Sequence, residues 1–281
     1  MDISIVIPVF NEEAFLESSI ESLLCQTHSF RELILVDDGS TDQTVEIAHK
    51  IAAKHPCIQF LQAKETTDHE PGKKVVAAFN RGFAALSRPC DVICKFDADI
   101  IFPEHYLENL ALAFRQNPNL GMYGGLLTIY KNNNWELESV ASTTHIRGPI
   151  KAYSKKCFAA IDGLRSILGW DTLDELLALY FGFVVQTNRD LRVKHLRPTG
   201  SGYSSTPAKQ KGALFYGLGY GLILGLLASF KWAMVQRGPI FAVLYGFLSA
   251  WITQKPLFVS KKQARFIRKY RWSAIANRFF S

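Results

Sequence analysis

The sequence predicts an α/β fold, with a mostly parallel, Rossmann-like sheet flanked by helices and a hydrophobic helical segment at the carboxyl end. Over the first hundred residues, short runs rich in β-branched residues alternate with helical patterns. This alternation favours parallel strands with helices on both faces. Charge and hydropathy then change near residue 206. We therefore expect two domains, residues 1–206 and residues 207–281.

Each element of the first domain is predicted from its own pattern. Strand candidates are short runs of Val, Ile and Leu, and helix candidates carry apolar residues three and four positions apart. In chain order they are strand Ile3–Ile7, helix Glu12–Gln26, strand Leu33–Val36, a helix capped by Ser40-Thr41-Asp42, strand Ile58–Leu61, helix Lys73–Leu86 and strand Val92–Phe96. Ligands of such sheets bind beyond the carboxyl ends of the parallel strands, so polar residues just after a strand are the first site candidates.

The second domain combines positive charge with high hydropathy. Residues 207–281 contain 12 of the 32 Lys and Arg residues and none of the 25 Asp and Glu residues. Two uncharged runs, Ala213–Phe230 and Pro239–Thr253, precede a basic and aromatic stretch at 261–272. Small residues recur every fourth position in the first run, at Gly217, Gly221 and Gly225. This spacing favours close helix packing.

A bilayer span needs about 20 apolar residues, so these runs favour a re-entrant or interfacial helix pair at a membrane surface. Two buried helices with a solvated basic tail are the alternative. We expect no nucleic-acid partner, because such hydropathy would serve no purpose there.

Cysteine usage and the amino terminus predict the compartment. The five cysteines are scattered and include no CxxC pair, so neither a disulfide framework nor a zinc site is expected and a reducing cytoplasm fits best. The amino-terminal residues lack the basic region of a signal peptide. Together with the basic second domain, these features predict a protein at the cytoplasmic face of the cell membrane.

Asp97-Ala98-Asp99 is the most informative polar cluster. It follows the apolar run Val92–Phe96, and alternation on a strand end allows one or both carboxylates to face a common divalent ion. Mg²⁺ and Mn²⁺ prefer oxygen ligands and typically share them with substrate phosphates. A solvated acidic turn is the alternative interpretation of an isolated pattern of this kind.

Two further polar clusters follow strand candidates, Asn11-Glu12 after the first and Asp37-Asp38-Gly39-Ser40 after the second. A strand-to-helix turn with a good cap explains the second cluster from Gly39 onward. It does not explain two adjacent carboxylates, one of which can accept a hydrogen bond from a nucleotide base. No GxGxxG motif follows the first strand, which argues against a dinucleotide site.

Taken in order, these segments resemble family 2 glycosyltransferases of the bacterial membrane-associated type, whose catalytic domain has the GT-A fold. The resemblance is carried by Ile5–Glu13, Val36–Asp42, Gly72-Lys73 with Asn80 and Gly82, and Asp97-Ala98-Asp99. Each motif is weak alone, whereas the ordered set is specific and covers roughly residues 1–200. The resemblance implies a nucleotide-sugar donor, a divalent metal (Mn²⁺ or Mg²⁺) and hexosyltransferase-type activity.

The resemblance also implies which residues bind the nucleotide. They are Pro8, Val9, Asn11, Glu12, Asp38, Lys73 and Asp97. Asp38 matches the carboxylate that binds the base, usually uracil. Lys74 adjoins Lys73, and the spacing to Asn80 is longer than in the usual pattern, so the choice between the two lysines stays open.

For the metal, the resemblance implies Asp97, Asp99 and His195, with Asp99 the more direct ligand. His195 and Arg197 alternate onto one side of a strand-like run, in a segment that some relatives place near the metal or diphosphate. A histidine that is satisfied within the fold is the alternative interpretation of His195.

The general base is expected in the second half of the first domain. Family members often carry a Glu-Asp pair that opens a helix ending near a Gly-aromatic step, here Gly182-Phe183. Counting back places Trp170-Asp171 on that pair, with Trp in place of Glu. Asp171 and Asp174 share a helix face and are the candidate bases, and Glu175 is a third. Acidic residues at a helix amino terminus also complement its dipole, so the choice stays open.

Together these features predict a metal-dependent, inverting glycosyltransferase of polysaccharide biosynthesis, which moves a sugar from a UDP-linked donor to a glycan or lipid-linked acceptor. One alternative is a sugar-1-phosphate nucleotidyltransferase, but the loop after the first strand is neither Gly-rich nor basic. The other is a non-catalytic, membrane-bound nucleotide-sugar-binding subunit, because Trp170 departs from the base motif. Arg147–Lys151 either binds an acceptor phosphate or turns a corner.

Overall fold

In the computed structural model of the chain, the described residues are 1–62, 72–138, 143–197 and 208–280. The chain divides into two compact units, Met1–Ser201 and Gly202–Ser281. The boundary that the sequence predicts, between residues 206 and 207, lies outside the described residues.

The first unit begins with strands and helices in alternation. These are β1 (Ile3–Val9), α1 (Leu16–Leu24), β2 (Glu32–Asp37), α2 (Thr44–Lys54), β3 (Ile58–Gln62), α3 (Lys73–Ala84) and β4 (Val92–Phe96). All the elements predicted in this stretch are present, with boundaries shifted by a few residues. The largest shift is at α1, because the Glu12 carbonyl first accepts hydrogen bonds from the Phe15 and Leu16 amides in a turn.

The unit continues with β5 (Ile100–Ile101), α4 (Tyr106–Gln116), β6 (Leu120–Lys131), β7 (Asn134–Leu137), β8 (Ile150–Ser154), α5 (Lys155–Ala160), α6 (Trp170–Tyr180) and β9 (Val184–His195). The described strands form one sheet in the order β3-β2-β1-β4-β8-β6-β9-β5, with β7 paired to β6. β1, β2, β3 and β4 are parallel, as predicted. However, β8 runs antiparallel to both β4 and β6. The prediction of a mostly parallel sheet was therefore wrong, and the sheet is mixed.

One antiparallel pair of the sheet, β6 with β7, has a local cause. β6 and β7 are joined by Asn132 and Asn133, whose φ angles of 51° and 61° are left-handed. Two left-handed residues in a two-residue loop match the twist of an antiparallel hairpin, and Asn tolerates this conformation. A parallel connection would need a crossover of a dozen or more residues.

The central strands contribute buried side chains to the hydrophobic core, and the polar clusters lie beyond the carboxyl ends of these strands. Ile3, Ile5 and Ile7 of β1 are fully buried, as expected for parallel strands covered on both faces. Beyond β4, the Phe96 ring lies 4.5 Å from the ring of Phe102. Asp97-Ala98-Asp99 is therefore held between two buried aromatic anchors.

The second unit contains α7 (Ala208–Gly217), α8 (Leu222–Gln236), α9 (Ile240–Ile252) and α10 (Lys261–Phe280). The first uncharged run does not form one helix, because Gly219 and Gly221 adopt φ of 75° and interrupt the helical path. The expectation of a single glycine stripe along one helix was therefore wrong. Within the part of the chain that the structure describes, none of the helices combines the length and the hydropathy needed to cross a bilayer.

Two glycines bring the backbones of α7 and α9 into contact. A Cβ atom at Gly212 would lie 1.9 Å from the Val243 carbonyl oxygen, and one at Gly246 would lie 2.0 Å from the Lys209 carbonyl oxygen. No side chain fits at either position. The inner faces of these helices are therefore occupied by helix–helix packing.

Candidate active site

The loops after β1 and β2 are joined by hydrogen bonds at the carboxyl edge of the sheet. Asn11 has a left-handed φ of 54°; its backbone N–H donates to Ser40 Oγ at 3.0 Å, and its Oδ1 accepts from the Thr41 N–H at 2.8 Å. Ser40 and Thr41 thus hold Asn11. The third predicted capping residue, Asp42, accepts from the N–H of Thr44, the first residue of α2, at 3.0 Å. The structure brings the first two polar clusters together.

Asp37 and Asp38 have different environments. Asp37 is fully buried, and its oxygens accept from the N–H groups of Gly39 and Ser40, both at 3.1 Å. This carboxylate therefore shapes the turn. Asp38 is also buried, and its Oδ1 accepts from Arg81 Nη2 at 2.8 Å. A nucleotide base would be met by the other oxygen of Asp38.

The remaining nucleotide candidates lie around this loop. Pro8 is half-buried, and the Val9 side chain is in the core at 1% exposure, so the Val9 side chain is not available to a ligand. Lys73 is exposed at the start of α3. Lys74 Nζ lies 5.7 Å from the ring centroid of Phe10, in the loop after β1. The structure thus places Lys74 at the loop after β1.

Asp97 lies beside a buried lysine. Its carboxylate is paired with Lys95 Nζ, and Lys95 is 1% exposed within β4. The Asp97 N–H donates to the Pro149 carbonyl at 3.0 Å. A fixed ammonium group therefore neutralises the first carboxylate of the Asp-Ala-Asp motif.

Asp99 forms a cluster of charged side chains with His195, Arg197 and Glu12. Asp99 Oδ2 lies 3.5 Å from His195 Nε2 and 3.4 Å from Arg197 Nε. Arg197 Nη2 also pairs with Glu12 Oε1. β5 and β9 are antiparallel partners with Ile100 opposite His195. This pairing brings residues almost a hundred positions apart to the same place.

Burial and nearby charges shift the pKa of both carboxylates of this cluster, Glu12 and Asp99. Burial and the nearby Asp99 charge raise the pKa of Glu12 to about 7, although Arg197 acts against them. Burial also acts to raise the pKa of Asp99, but His195 and Arg197 outweigh it and hold the pKa below its usual range. Burial opposes protonation of His195, yet its hydrogen bonds to Asp99 and Glu138 raise its pKa to about 9.

The residues present fit a divalent metal that is shared with a diphosphate. Among the described residues, no three His, Cys, Asp or Glu side chains are grouped to hold a metal on their own. Mg²⁺ is usually held by one or two protein carboxylates together with substrate phosphates, and Asp99 with His195 offers such a partial set. Glu12 Oε2 is buried beside them without a hydrogen-bond partner in the described structure. An unsatisfied buried carboxylate oxygen is costly unless a ligand completes it.

Asp171 lies in the first turn of α6 next to a histidine. Its side chain is 32% exposed, and its Oδ2 is 3.6 Å from His145 Nε2. His145 Nδ1 lies 2.9 Å from Glu175 Oε2, and Glu175 also accepts from the Ile146 N–H at 2.7 Å. Burial opposes protonation of His145, but its bonds to Asp171 and Glu175 raise its pKa to about 9. Asp171 is thus a partly exposed carboxylate with a cation beside it.

Asp174 does not share the environment of Asp171. It is 3% exposed, and its oxygens accept from Lys151 Nζ at 2.8 and 2.9 Å and from Tyr153 Oη at 2.5 Å. Burial raises its pKa to about 6 against the opposing charge of Lys151. Lys151 is itself fully buried, so it is not placed to bind an acceptor phosphate from solvent. These three groups form a buried support under α6.

Trp170 connects the two carboxylate regions. Its indole is 7% exposed, and its ring centroid lies 5.2 Å from Lys95 Nζ and 5.6 Å from Lys151 Nζ. Lys95 is paired with Asp97, and Lys151 donates to the Asp171 carbonyl at 2.5 Å. A continuous chain of contacts therefore runs from Asp97 to Asp171. The indole gives both ammonium groups an aromatic surface.

The sequence analysis did not predict four residues of the site, which are Arg81, Lys95, Glu138 and His145. Lys95 had a signal, because a lysine inside the apolar run Val92–Phe96 must find a buried partner. Glu138 and His145 had none, since their partners are distant in sequence.

Sequence comparisons relate the chain to known glycosyltransferases. The model of glycosyl transferase family 2 matches residues 4–160. The chain is 32% identical over 122 residues to an uncharacterised glycosyltransferase of Nostoc sp., covering 43% of this chain and 35% of that protein. It is 36% identical over 107 residues to the succinoglycan biosynthesis protein ExoA of Rhizobium meliloti, covering 38% and 30%. The matched stretches thus span about a third or less of these relatives.

Solved structures share the fold at low sequence identity. The TarS fragment 1–349 of S. aureus in complex with UDP-GlcNAc has a TM-score of 0.60 at 17% identity, covering 81% of this chain and 67% of that one. The mannosyltransferase of Pyrobaculum calidifontis in complex with GDP-Man and Mn²⁺ has a TM-score of 0.60 at 16% identity, covering 97% and 80%. The chain belongs to glycosyl transferase family 2 and has the GT-A fold, with a mixed sheet flanked by helices.

Proposed function

We propose that the chain is an inverting glycosyltransferase that transfers a sugar from a UDP-linked donor to a glycan or lipid-linked acceptor with the help of a divalent metal. The observation that carries the proposal is the cluster of Asp99, His195, Arg197 and Glu12 at the carboxyl edge of the sheet. It joins a buried carboxyl oxygen that has no hydrogen-bond partner among the described residues, Glu12 Oε2, to two cationic side chains. Such a site suits a metal–diphosphate group.

The donor nucleotide is placed by the loops after β1 and β2. Asp38 accepts a hydrogen bond from the base N–H through the oxygen that Arg81 does not hold. Asn11, which is held in place by its hydrogen bonds with Ser40 and Thr41, lines the nucleotide. Lys74, next to Phe10, supplies positive charge at the loop after β1. The two structural neighbours bind nucleotide sugars, UDP-GlcNAc in TarS and GDP-Man in the mannosyltransferase, and we choose uridine because Asp38 resembles the carboxylate that usually binds uracil.

The leaving group is a nucleoside diphosphate, which gains negative charge as the bond to the anomeric carbon breaks. Asp99 and His195 would hold the divalent metal, and the metal would supply Lewis-acid stabilisation of that charge. His195 would serve as a ligand in its neutral imidazole form. Arg197 is fixed by Asp99 and Glu12 and adds a permanent positive charge beside the diphosphate.

Asp171 is the general base. It accepts the proton of the acceptor hydroxyl while the acceptor oxygen forms the new bond to the anomeric carbon and the diphosphate oxygen leaves. A single displacement with a separate base inverts the anomeric configuration. Asp171 is partly exposed and can reach an acceptor, whereas both oxygens of Asp174 are bonded in the interior. We therefore assign Asp174 to the support of α6.

The acceptor class is proposed from the relatives. Their names include a succinoglycan biosynthesis protein and a chondroitin synthase of Escherichia coli, both concerned with glycan polymers. The second is 30% identical over 139 residues, 49% of this chain and 20% of that one. A growing glycan or a lipid-linked precursor is the corresponding acceptor.

The test uses the full chain, a panel of UDP-sugars and Mn²⁺, with release of UDP as the readout. We expect one or a few UDP-sugars to give UDP, with release stopped by EDTA and restored by excess Mn²⁺. Release of pyrophosphate from UTP and a sugar 1-phosphate would identify a nucleotidyltransferase instead. Tight binding of UDP-sugars without turnover, with every acceptor tried, would favour a non-catalytic subunit.

A further inference from the structure

Helices α8 and α9 carry large apolar side chains on their solvent side in a regular pattern. On α8 these are Ile223, Leu227, Phe230 and Met234, between 48% and 66% exposed. On α9 they are Phe241, Tyr245, Leu248 and Ile252, between 37% and 84% exposed. Both sets follow a spacing of four, three and four residues, which places each set on one side of its helix. We call these eight residues the outer stripes.

The outer stripes do not result from a lack of inward packing. The inward faces are already filled, by Leu224, Gly225, Ser229 and Ala233 on α8 and by Val243, Gly246, Phe247 and Ala250 on α9. A Cβ atom at Gly225 would lie 2.1 Å from the Phe247 ring. The inward faces are thus already packed, and the outer stripes remain as large apolar residues on the solvent side. Surface helices of water-soluble proteins usually carry polar residues on that side.

The same unit is uniformly basic. Residues 207–281 contain twelve Lys and Arg residues and no acidic residue. The loops at the ends of α8 and α9 carry exposed Arg237 and Lys255, and α10 begins with exposed Lys261 and Lys262. The unit therefore combines the outer stripes with exposed positive charge at the ends of these helices.

We propose that the second unit docks on an anionic lipid bilayer, with the outer stripes in the apolar boundary of the headgroup layer and the basic residues against the lipid phosphates. Exposed apolar stripes combined with Lys and Arg are typical of helices that lie in the plane of a membrane interface. α8 has 15 residues and is therefore about 22 Å long. A bilayer core is about 30 Å thick, so the helix lies on the membrane and does not cross it.

Charge selects a lipid surface over a second copy of the chain. Pairing two copies through the outer stripes would bring two sets of twelve positive charges together without an acidic residue in either unit. Like charges across an interface oppose association, whereas an anionic bilayer neutralises them. The proposal does not depend on the assignment of the catalytic residues.

The test is flotation of the full chain with vesicles of phosphatidylcholine, with and without phosphatidylglycerol. We expect the protein to float with the anionic vesicles and to remain largely unbound with the neutral ones. Trp251 and Trp272, 38% and 40% exposed, should shift their emission to shorter wavelength on binding.

Two sets of variants separate the apolar and electrostatic contributions. The double variant Phe241→Ser/Ile252→Ser should lower partitioning at least about tenfold, because each side chain loses its apolar contact with lipid. A matched control on the first unit, Leu112→Ser/Phe181→Ser, replaces two residues of 45% exposure and should leave partitioning unchanged.

Replacing Lys261, Lys262 and Lys269 with Gln should lower binding to anionic vesicles roughly five-fold per charge. It should leave binding to neutral vesicles unchanged.

Three results would overturn the proposal. One is a full-length protein that ignores both kinds of vesicle. A second is equal loss of binding in the control and in the outer-stripe variant, since the stripes would then have no special part. The third is a dimer in solution that Phe241→Ser/Ile252→Ser converts to a monomer, because the outer stripes would then be covered by a second copy.

Discussion

At the scale of single residues, two aspartates one turn apart on α6 have opposite environments. The Asp171 side chain is 32% exposed beside His145, and Asp174 is buried against Lys151 and Tyr153. Spacing along the helix puts both on one face, which is why the sequence left the choice open. The distinction comes from β8, which contributes Lys151 and Tyr153 beneath the helix.

Asp171→Asn is expected to lower kcat by at least about a hundredfold, in line with the usual contribution of general-base catalysis. An amide cannot accept the proton of the acceptor hydroxyl, whereas the donor is held by other residues. The dissociation constant for UDP should therefore stay within about twofold. Asp190→Asn, the same change at an exposed position of β9, is the control. Unchanged kcat in Asp171→Asn would remove Asp171 from the mechanism.

The residues whose position the sequence predicted best are those close to a strand end. Asp38, Asp97 and Asp99 lie at the same edge of the sheet because the carboxyl ends of parallel strands meet there. Their partners could not be found in the same way. Arg81 reaches Asp38 from another element, and Glu138 reaches His195 from 57 residues away. Pairing of side chains across elements depends on packing, which one sequence does not display.

At the scale of secondary structure elements, α6 depends on a buried ion pair. Asp174→Asn leaves the buried ammonium of Lys151 with the more distant carboxylate of Glu175, at 3.6 Å, in place of its closest partner, so we expect a loss of up to about 3–5 kcal/mol in the free energy of unfolding. Urea unfolding monitored by circular dichroism measures it. The double variant Lys151→Met/Asp174→Asn should recover much of this loss, because no unpaired charge remains. Full stability of Asp174→Asn alone would contradict the support role.

His145, in the segment before β8, contacts Asp171 and Glu175 of α6. These contacts depend on the protonation of His145 and therefore on pH. His145 faces Asp171, Glu175 and Lys151, and the two carboxylates raise its pKa from 6.5 to about 9. A raised pKa in the folded state stabilises the protein fully below pH 6.5. This stabilisation is lost as the pH rises through 9.

The wild-type protein is thus expected to lose up to about 3 kcal/mol of stability from this residue between pH 6 and pH 9.5. His145→Gln does not titrate, so its unfolding free energy should fall less over the same range. Urea titrations at the two pH values give the comparison. Equal losses in both proteins would show that His145 is not protonated in the folded state.

The strands and helices of the first hundred residues were predictable because each one is a local pattern with a clear period. The mixed character of the sheet was not, since it depends on where β8 inserts between β4 and β6. Asn132-Asn133 is a local signal for the β6–β7 hairpin. It does not indicate that β8 inserts between β4 and β6.

At the scale of the whole molecule, the donor and the metal are expected to stabilise the fold jointly. A ligand that binds only the folded state at a hundred times its dissociation constant adds about 2.7 kcal/mol. UDP with Mn²⁺ should therefore raise Tm by several degrees, more than either alone, because Asp99 and His195 form only part of a metal site. Asp99→Asn should abolish the joint increase. An equal shift with UDP and EDTA would contradict a shared metal.

Trp170 has a further consequence, which concerns how the site can be observed. Its indole lies within 6 Å of two ammonium groups, and one of these is paired with Asp97. The excited state of indole is strongly polarised, so a change in the position or pairing of Lys95 alters its emission. Donor binding at Asp97 should therefore change the fluorescence of the protein, and Trp170→Phe should remove that change. Unlike a carboxylate at this position, the indole makes the donor site its own optical reporter.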